Sequence, residues 1–127
     1  MRIKCIATIL VFVVSAAICF GCTYCIHTAV SQTEFLANTA LMRFDEGDMP
    51  GALEMLSRMA ERWNRQLPLM QMIASHDDLH DISLQYQEAA TNLKSGDSDE
   101  FQRSMSLLQE ALKHLRDQES LSFANLL

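Results

Sequence analysis

The chain has 127 residues, a formal net charge of −6 at pH 7, and 49% hydrophobic but 7% aromatic residues. This length leaves room for one small domain. An acidic surface does not attract nucleic acid or anionic lipid headgroups, so nucleic-acid binding is excluded as the function. Two prolines, both at apparent helix boundaries, and an apolar pattern of helical period predict an all-α protein.

The first predicted element is an apolar helix from Cys5 to Ile26, a stretch with no charged residue and no proline. About 22 residues in a helix span about 33 Å, enough for the hydrocarbon core of a bilayer. Arg2 and Lys4 precede the stretch, and the first charge after it is Glu34. The positive-inside rule therefore predicts a cytoplasmic N-terminus and a remainder that lies outside.

These features predict a single-pass protein of the cell membrane that contacts membrane lipid through its N-terminal helix. Residues 1–31 are predicted to form the transmembrane anchor, and residues 32–127 an extracytoplasmic α-helical domain. Two alternatives remain open. One is a cleaved secretory signal with Ala29-Val30-Ser31 as the cleavage site, and the other is a lipoprotein acylated at Cys22. All three deliver the same domain to the outside.

The cysteines all lie in the apolar segment: Cys5, Cys19, Cys22 and Cys25. The remainder has none, so its helices must be stabilised by packing rather than by a disulfide framework. We interpret the C-x-x-C pair of Cys22 and Cys25 as small, weakly polar residues in lipid, with an inter-chain disulfide or a redox role as alternatives. Ala17 and Gly21, four residues apart, are a hint of helix pairing in the membrane.

Helix one continues to about Glu46. Ser31-Gln32-Thr33-Glu34 fits a capping box that starts it, or an uninterrupted extension of the membrane helix. Gly47-Asp48 ends this helix and caps helix two. Helix two shows an a/d seam, a row of positions alternating three and four apart, and is predicted to end before Pro68. Its seam residues are Met49, Leu53, Leu56, Ala60, Trp63 and Leu67.

Helix three is predicted from about Pro68 to Lys94, and Ser95-Gly96-Asp97 closes it. Its seam is Met72, Ser75, Leu79, Ile82, Tyr86, Ala89 and Leu93. The seam of helix four is Phe101, Met105, Leu108, Leu112 and Leu115. The tail, residues 121–127, is apolar and is predicted to pack onto the bundle or the membrane surface.

The two Gly-Asp turns imply two helical hairpins, one after the other. An N-terminal transmembrane helix followed by an up-down-up-down helical bundle is the predicted architecture. A tetratricopeptide array does not fit, because its period is about 34 residues and the two turns are further apart. Connectivity places Trp63, Pro68 and the C-terminus near the membrane, and Gly47 and Gly96 at the far tip.

The densest polar cluster is His76-Asp77-Asp78-Leu79-His80-Asp81. His76 and His80 are i, i+4 and share a helix face, as two metal ligands would. If helices three and four form a hairpin about Gly96, His80 lies opposite His114. The three histidines are therefore a candidate metal site, or sensors of pH between about 5 and 8. Interhelical hydrogen bonds or ion pairs are the competing interpretation of the same residues.

Other chemistry has weaker support. Met55 and Met59 share a face that could bind copper(I), although methionines more often fill helical cores. There is no glycine-rich phosphate loop and no nucleophile elbow. Ser83 lies seven residues from His76, but nothing in the sequence orients the two for catalysis. We therefore expect no enzymatic activity and no cofactor.

Several short stretches resemble a bacterial family known only as a domain of unknown function, DUF4363. They are Trp63, His76-Asp77-Asp78-Leu79-His80-Asp81-Ile82, Gly96-Asp97, Leu112-Lys113-His114-Leu115 and the ending from Glu119 to Leu126. The resemblance implies a small protein with one N-terminal membrane helix and an external helical region. It implies no activity.

The sequence thus predicts a non-enzymatic accessory or interaction subunit of an envelope protein, with a protein partner or self-association. The alternative is a metal- or ligand-binding helical module that uses His76, His80 and His114.

Overall fold

The computed structural model describes the backbone of residues 1–126 and the side chains as far as Gln118. Within this part, the chain forms helices and no strands, which confirms the all-α prediction. The helices are α1 (Arg2–Asp45), α2 (Met49–Gln71), α3 (His76–Ser95) and α4 (Ser98–Leu126). The prediction about the packing of the tail concerns residues 121–127, which lie outside the described side chains.

Helix α1 is continuous over 44 residues. It passes through Ser31-Gln32-Thr33-Glu34 without a break, so the extension is observed and the capping box is not. The Thr33 hydroxyl donates to the Ala29 carbonyl at 2.8 Å, a bond within the helix. An 18-residue window of α1 near the N-terminus has a mean hydropathy of 2.6, and none of the window is buried. By length and composition this helix can cross a membrane, and its apolar part is not a core element of the bundle.

The two Gly-Asp turns form as predicted. Gly47 and Gly96 have φ of 82° and 79°, a left-handed conformation that glycine adopts without a steric penalty. Asp48 caps α2, since its Oδ1 accepts from the Gly51 backbone N–H at 2.9 Å. Asp97 Oδ1 accepts from the Glu100 backbone N–H at 3.2 Å at the start of α4. Each turn therefore supplies both a helix end and the next helix start.

The boundary between α2 and α3 differs from the prediction. Helix α2 continues through Pro68 to Gln71, and α3 begins at His76 rather than at Pro68. Pro68 lies one turn from the end of α2, so its missing N–H leaves a single carbonyl, that of Asn64, without its helical donor. The added turn brings Met70 into the core, where it is 2% exposed.

Each helix packs against two neighbours, in the order α1–α2, α2–α3, α3–α4 and α4–α1. This closed ring with short connections is the predicted up-down-up-down bundle. At one end, the rings of Phe44 and Phe101 lie 4.7 Å apart between α1 and α4. Towards the other end, Arg116 donates two bonds to the Glu34 carboxylate, at 3.0 and 3.1 Å. Helix α4 therefore runs antiparallel to α1.

The predicted core of α4 is confirmed at every position: Phe101, Met105, Leu108, Leu112 and Leu115 are all fully buried. In α3 the buried residues are Leu79, Ile82, Tyr86, Ala89 and Leu93, also as predicted. The prediction was wrong for Met72, which lies in the turn before α3 and is 83% exposed, and for Ser75, which is the exposed N-cap of α3.

Of the seam predicted for α2, Leu56 and Trp63 are buried, and Leu53, Ala60 and Leu67 are partly buried and pack against the core. The other buried residues of this helix are Ala52, Met59 and Met70, which the prediction missed. The predicted seam residue Met49 is 40% exposed. The core face of α2 therefore includes most of the predicted seam but is turned towards Ala52, Met59 and Met70.

Packing against the bundle begins at Ile26, which is 1% exposed, within the predicted transmembrane segment. The uncovered apolar part of α1 therefore runs from Cys5 to Cys25, about 31 Å of helix. The bundle accordingly starts about one and a half helical turns before residue 32, the predicted domain boundary.

Candidate functional site

The structure divides the three predicted histidines between two sides of α3. His76 and His80 line a shallow depression towards α2, together with Leu67 and Gln71. His114 lies on the other side, with its Nε2 3.7 Å from Asp78 Oδ1.

The predicted register of the α3–α4 hairpin was close to the observed one, but the prediction turned the wrong side of α3 towards α4. Residues two apart on a helix point about 200° away from each other. Since Asp78 faces His114, the residues two positions before and after it, His76 and His80, face away from α4.

Among the residues whose side chains are described, no group of three histidines, cysteines or carboxylates is placed to hold a metal ion. His76 and His80 remain a possible pair on one face, and His114 contacts a half-buried carboxylate instead. Metal binding by these histidines stays a prediction, and it would need ligands beyond those that the helices bring together.

Three hydrogen bonds link α3 to its two neighbours and help to fix the register of these helices. Trp63 is fully buried, and its indole N–H donates to the Ser83 hydroxyl at 3.1 Å. The Tyr86 hydroxyl donates to Asn64 Oδ1 at 3.2 Å. Between α3 and α4, the Asn92 amide donates to the buried Ser104 hydroxyl at 3.1 Å. Ser83, the hydroxyl considered for catalysis with His76, thus satisfies a buried indole.

An open groove of about 720 Å³ runs between α3 and α4. Leu84 and Leu107 line it and are 41% and 37% exposed, beside the charged side chains of Glu100 and Arg103. Gln85 also lines it, and its Oε1 is buried without a protein partner. The groove thus offers mixed polar and apolar contacts without a convergent set of reactive groups.

Helix α1 presents apolar side chains to solvent well beyond its N-terminal apolar segment. Phe35 and Met42 are 69% and 62% exposed and point directly away from the buried face of α1. Ser31 and Asn38 lie between and beside them at spacings of four and three. We call Ser31, Phe35, Asn38 and Met42 the α1 outer face. Asn38 lies at its edge, where its Oδ1 accepts from the Gln109 side-chain amide of α4 at 2.7 Å. Exposed large apolar residues in such a row typically mark a contact surface.

A smaller apolar groove, of about 200 Å³, lies where α1 enters the bundle. Tyr24 and Cys25 of α1 form one wall, and Leu69, Met70 and Ile73 at the end of α2 form the other. The turn after α2 therefore lies level with the last exposed residues of the apolar segment. This end of the bundle is opposite to the end that holds Gly47 and Gly96.

The fold and these surfaces define a class of protein: a small antiparallel four-helix bundle built onto the end of a long apolar helix. A family model, Domain of unknown function (DUF4363), matches residues 21–126. The chain belongs to this family, which confirms the resemblance seen in its sequence. Comparisons with curated proteins and with solved structures gave no match.

The match covers the second half of α1 and the whole bundle. The residues on which the resemblance rests serve the fold: Trp63 and Ile82 are buried, and Gly96 supplies the left-handed turn. Leu112 and Leu115, on either side of His114, are also core residues. Packing and turn geometry therefore account for these five residues of the motifs.

Proposed function

We propose that the protein is a single-pass membrane protein with its N-terminus in the cytoplasm and its bundle on the extracytoplasmic side. The unburied window of α1 supports the span, and Arg2 and Lys4 before it support the orientation. Fusing alkaline phosphatase, an enzyme active only outside the cytoplasm, behind Leu127 tests both. We expect an active fusion, and an inactive one together with an active cytoplasmic reporter at the same position would contradict the orientation.

We further propose that the bundle is a non-enzymatic interaction module that binds another membrane protein through the α1 outer face. The observation that supports this most is the exposure of Phe35 and Met42 opposite the core. Phe35 lies ten residues beyond Cys25, about 15 Å along the helix. Both side chains are therefore well above the bilayer, so lipid does not cover them.

The row of the α1 outer face continues into the apolar segment with the same alternation of three and four residues. Thr28, Tyr24, Gly21 and Ala17 occupy its next positions on that side. A Cβ added at Gly21 would meet no atom within 4 Å, so this side of the segment is open to close approach by another helix. A partner with a membrane helix that extends above the bilayer would contact the whole row.

Site-specific photocrosslinking of the full chain in its native membrane tests this proposal. A photoreactive residue at Phe35 or at Met42 should give one adduct of discrete mass, and one at Leu84, which is exposed on α3, should not. The substitution Phe35→Glu should abolish the adduct formed from position 42. An adduct of twice the chain mass would identify self-association instead of a different partner. Absence of adducts at both α1 positions would refute the interaction surface.

The metal- or ligand-binding alternative rests on one observation, the position of His76 and His80 in the same depression. Thermal unfolding of the full chain with and without zinc, nickel or copper(II) tests it. A stabilisation that disappears with His80→Ala but persists with His114→Ala would support a two-histidine site. Equal unfolding temperatures with and without each metal would remove the alternative.

A further inference from the structure

We propose that the corner between α2 and α3 is a second membrane contact, which lies on the lipid surface beside the point where α1 leaves the bilayer. The corner comprises residues 66–75, the last turns of α2 and the turn that follows. This inference rests on the proposed membrane span of α1, and its test separates the two.

The corner differs from the rest of the bundle in composition. Residues 66–75 are ten consecutive residues without a charged side chain, the longest such stretch beyond Glu34 in a chain of net charge −6. The surrounding sequence is dense in charge, with Glu61, Arg62 and Arg65 before the corner and Asp77 and Asp78 after it. A loop at the surface of an acidic domain normally carries polar or charged residues, because it is exposed to water.

The corner also exposes large apolar side chains. Met72 is 83% exposed and Leu69 is 51% exposed, and both belong to the corner. The neighbouring Met70 is 2% exposed and holds the corner against the core. Exposed apolar side chains on a well-anchored turn are typical of a surface covered by another phase or molecule.

The position of the corner beside α1 identifies lipid as the phase that covers it. Leu69 and Ile73 share an apolar groove with Tyr24 and Cys25, the last residues of the uncovered part of α1. Tyrosine is enriched at the level of lipid headgroups. If Cys5 to Cys25 spans the hydrocarbon core, the corner lies at the outer boundary of this core, where headgroups meet acyl chains. The absence of charge in the corner then avoids the cost of placing charges against hydrocarbon.

Tryptophan quenching in liposomes reconstituted with the full chain tests this inference. Three variants place a probe: Met72→Trp in the corner, Met42→Trp near the far tip, and Phe12→Trp in the apolar segment. Met42 is a matched control, because it is also an exposed methionine, at 62%. The native Trp63 is fully buried and gives a background that the unsubstituted chain measures.

Lipids with brominated acyl chains should quench the probes at positions 72 and 12 and leave the probe at position 42 bright. Aqueous acrylamide should show the reverse order. Quenching of position 12 without quenching of position 72 overturns the corner contact and leaves the membrane span intact. Failure to quench position 12 overturns the span, and the corner contact with it. Quenching of position 42 would mean that the bundle lies flat on the bilayer, which also contradicts the inference.

Discussion

The phase of α2 in the core can be tested with two methionines that lie ten residues apart on that helix. Met59 is fully buried, whereas Met49 is 40% exposed at the start of the helix. Truncation of a buried methionine to alanine removes its transfer free energy and leaves a cavity. We therefore expect Met59→Ala to lower the free energy of unfolding by about 2–5 kcal/mol. Met49→Ala should change it by no more than about 0.5 kcal/mol.

The assay is thermal unfolding of the full chain in a mild detergent, followed by the fluorescence of Trp63, which is fully buried. For a domain of this size, each kcal/mol corresponds to a shift of about 4–8 °C in Tm. Met59→Ala should therefore lower Tm by at least about 8 °C, and Met49→Ala by a few degrees at most. The sequence pattern alone predicts the opposite order, since it places Met49 on the seam. A larger loss for Met49→Ala would refute the observed phase.

A further three predictions concern the turns and the polar contacts. Gly96→Ala should destabilise the bundle by about 1–2 kcal/mol, because φ of 79° is unfavourable for a residue with a Cβ; urea unfolding measures the loss. A double-mutant cycle on Glu34→Ala and Arg116→Ala should give a coupling of about 1 kcal/mol that decreases with added salt, since this two-bond pair is half-buried. Ser83→Ala should cost about 1–3 kcal/mol, because it leaves the buried Trp63 N–H without its acceptor, and the indole emission should shift.

Each of the three has an outcome that contradicts it. A neutral Gly96→Ala would mean that the chain does not need the left-handed turn. Additive single mutants would show that Glu34 and Arg116 do not interact in solution. If Ser83→Ala changes neither the free energy of unfolding nor the indole emission, water replaces the lost hydroxyl.

Most of the fold could be predicted because its signals are local. Gly96 and Asp97 encode a helix end and a helix start within two residues. The core of α4 follows a regular alternation of four and three residues from Phe101 to Leu115, although its neighbours Leu107 and Ala111 are also apolar.

The α2–α3 boundary was predicted wrongly because a proline near a helix end removes only one backbone hydrogen bond. The burial of Met70 favours another helical turn after it. A signal for the true start of α3 was present. Ser75 precedes His76, and Asp77 and Asp78 occupy the first turn, where carboxylates are favoured by the helix dipole.

The arrangement of the three histidines could not be predicted from the expected register of the α3–α4 hairpin. The register of a hairpin indicates which residues lie at the same height, but not which way their side chains point. A difference of two residues, from Asp78 to His80, reverses the direction. The exposed corner and the α1 outer face were also missed, because exposure depends on which helices cover a residue, and this is a property of the assembled bundle.

The unbroken course of α1 has a mechanical consequence. The helix contains no proline, and Gly21 is its one glycine, so nothing in its sequence provides a joint between the apolar segment and the bundle. About 30 Å of stiff rod separates Ile26 from Asp45. If the apolar half spans a bilayer as proposed, a tilt of about 10° at the exit point would displace the tip by about 5 Å. A neighbouring protein that tilts the apolar segment would therefore also displace the far end of the bundle.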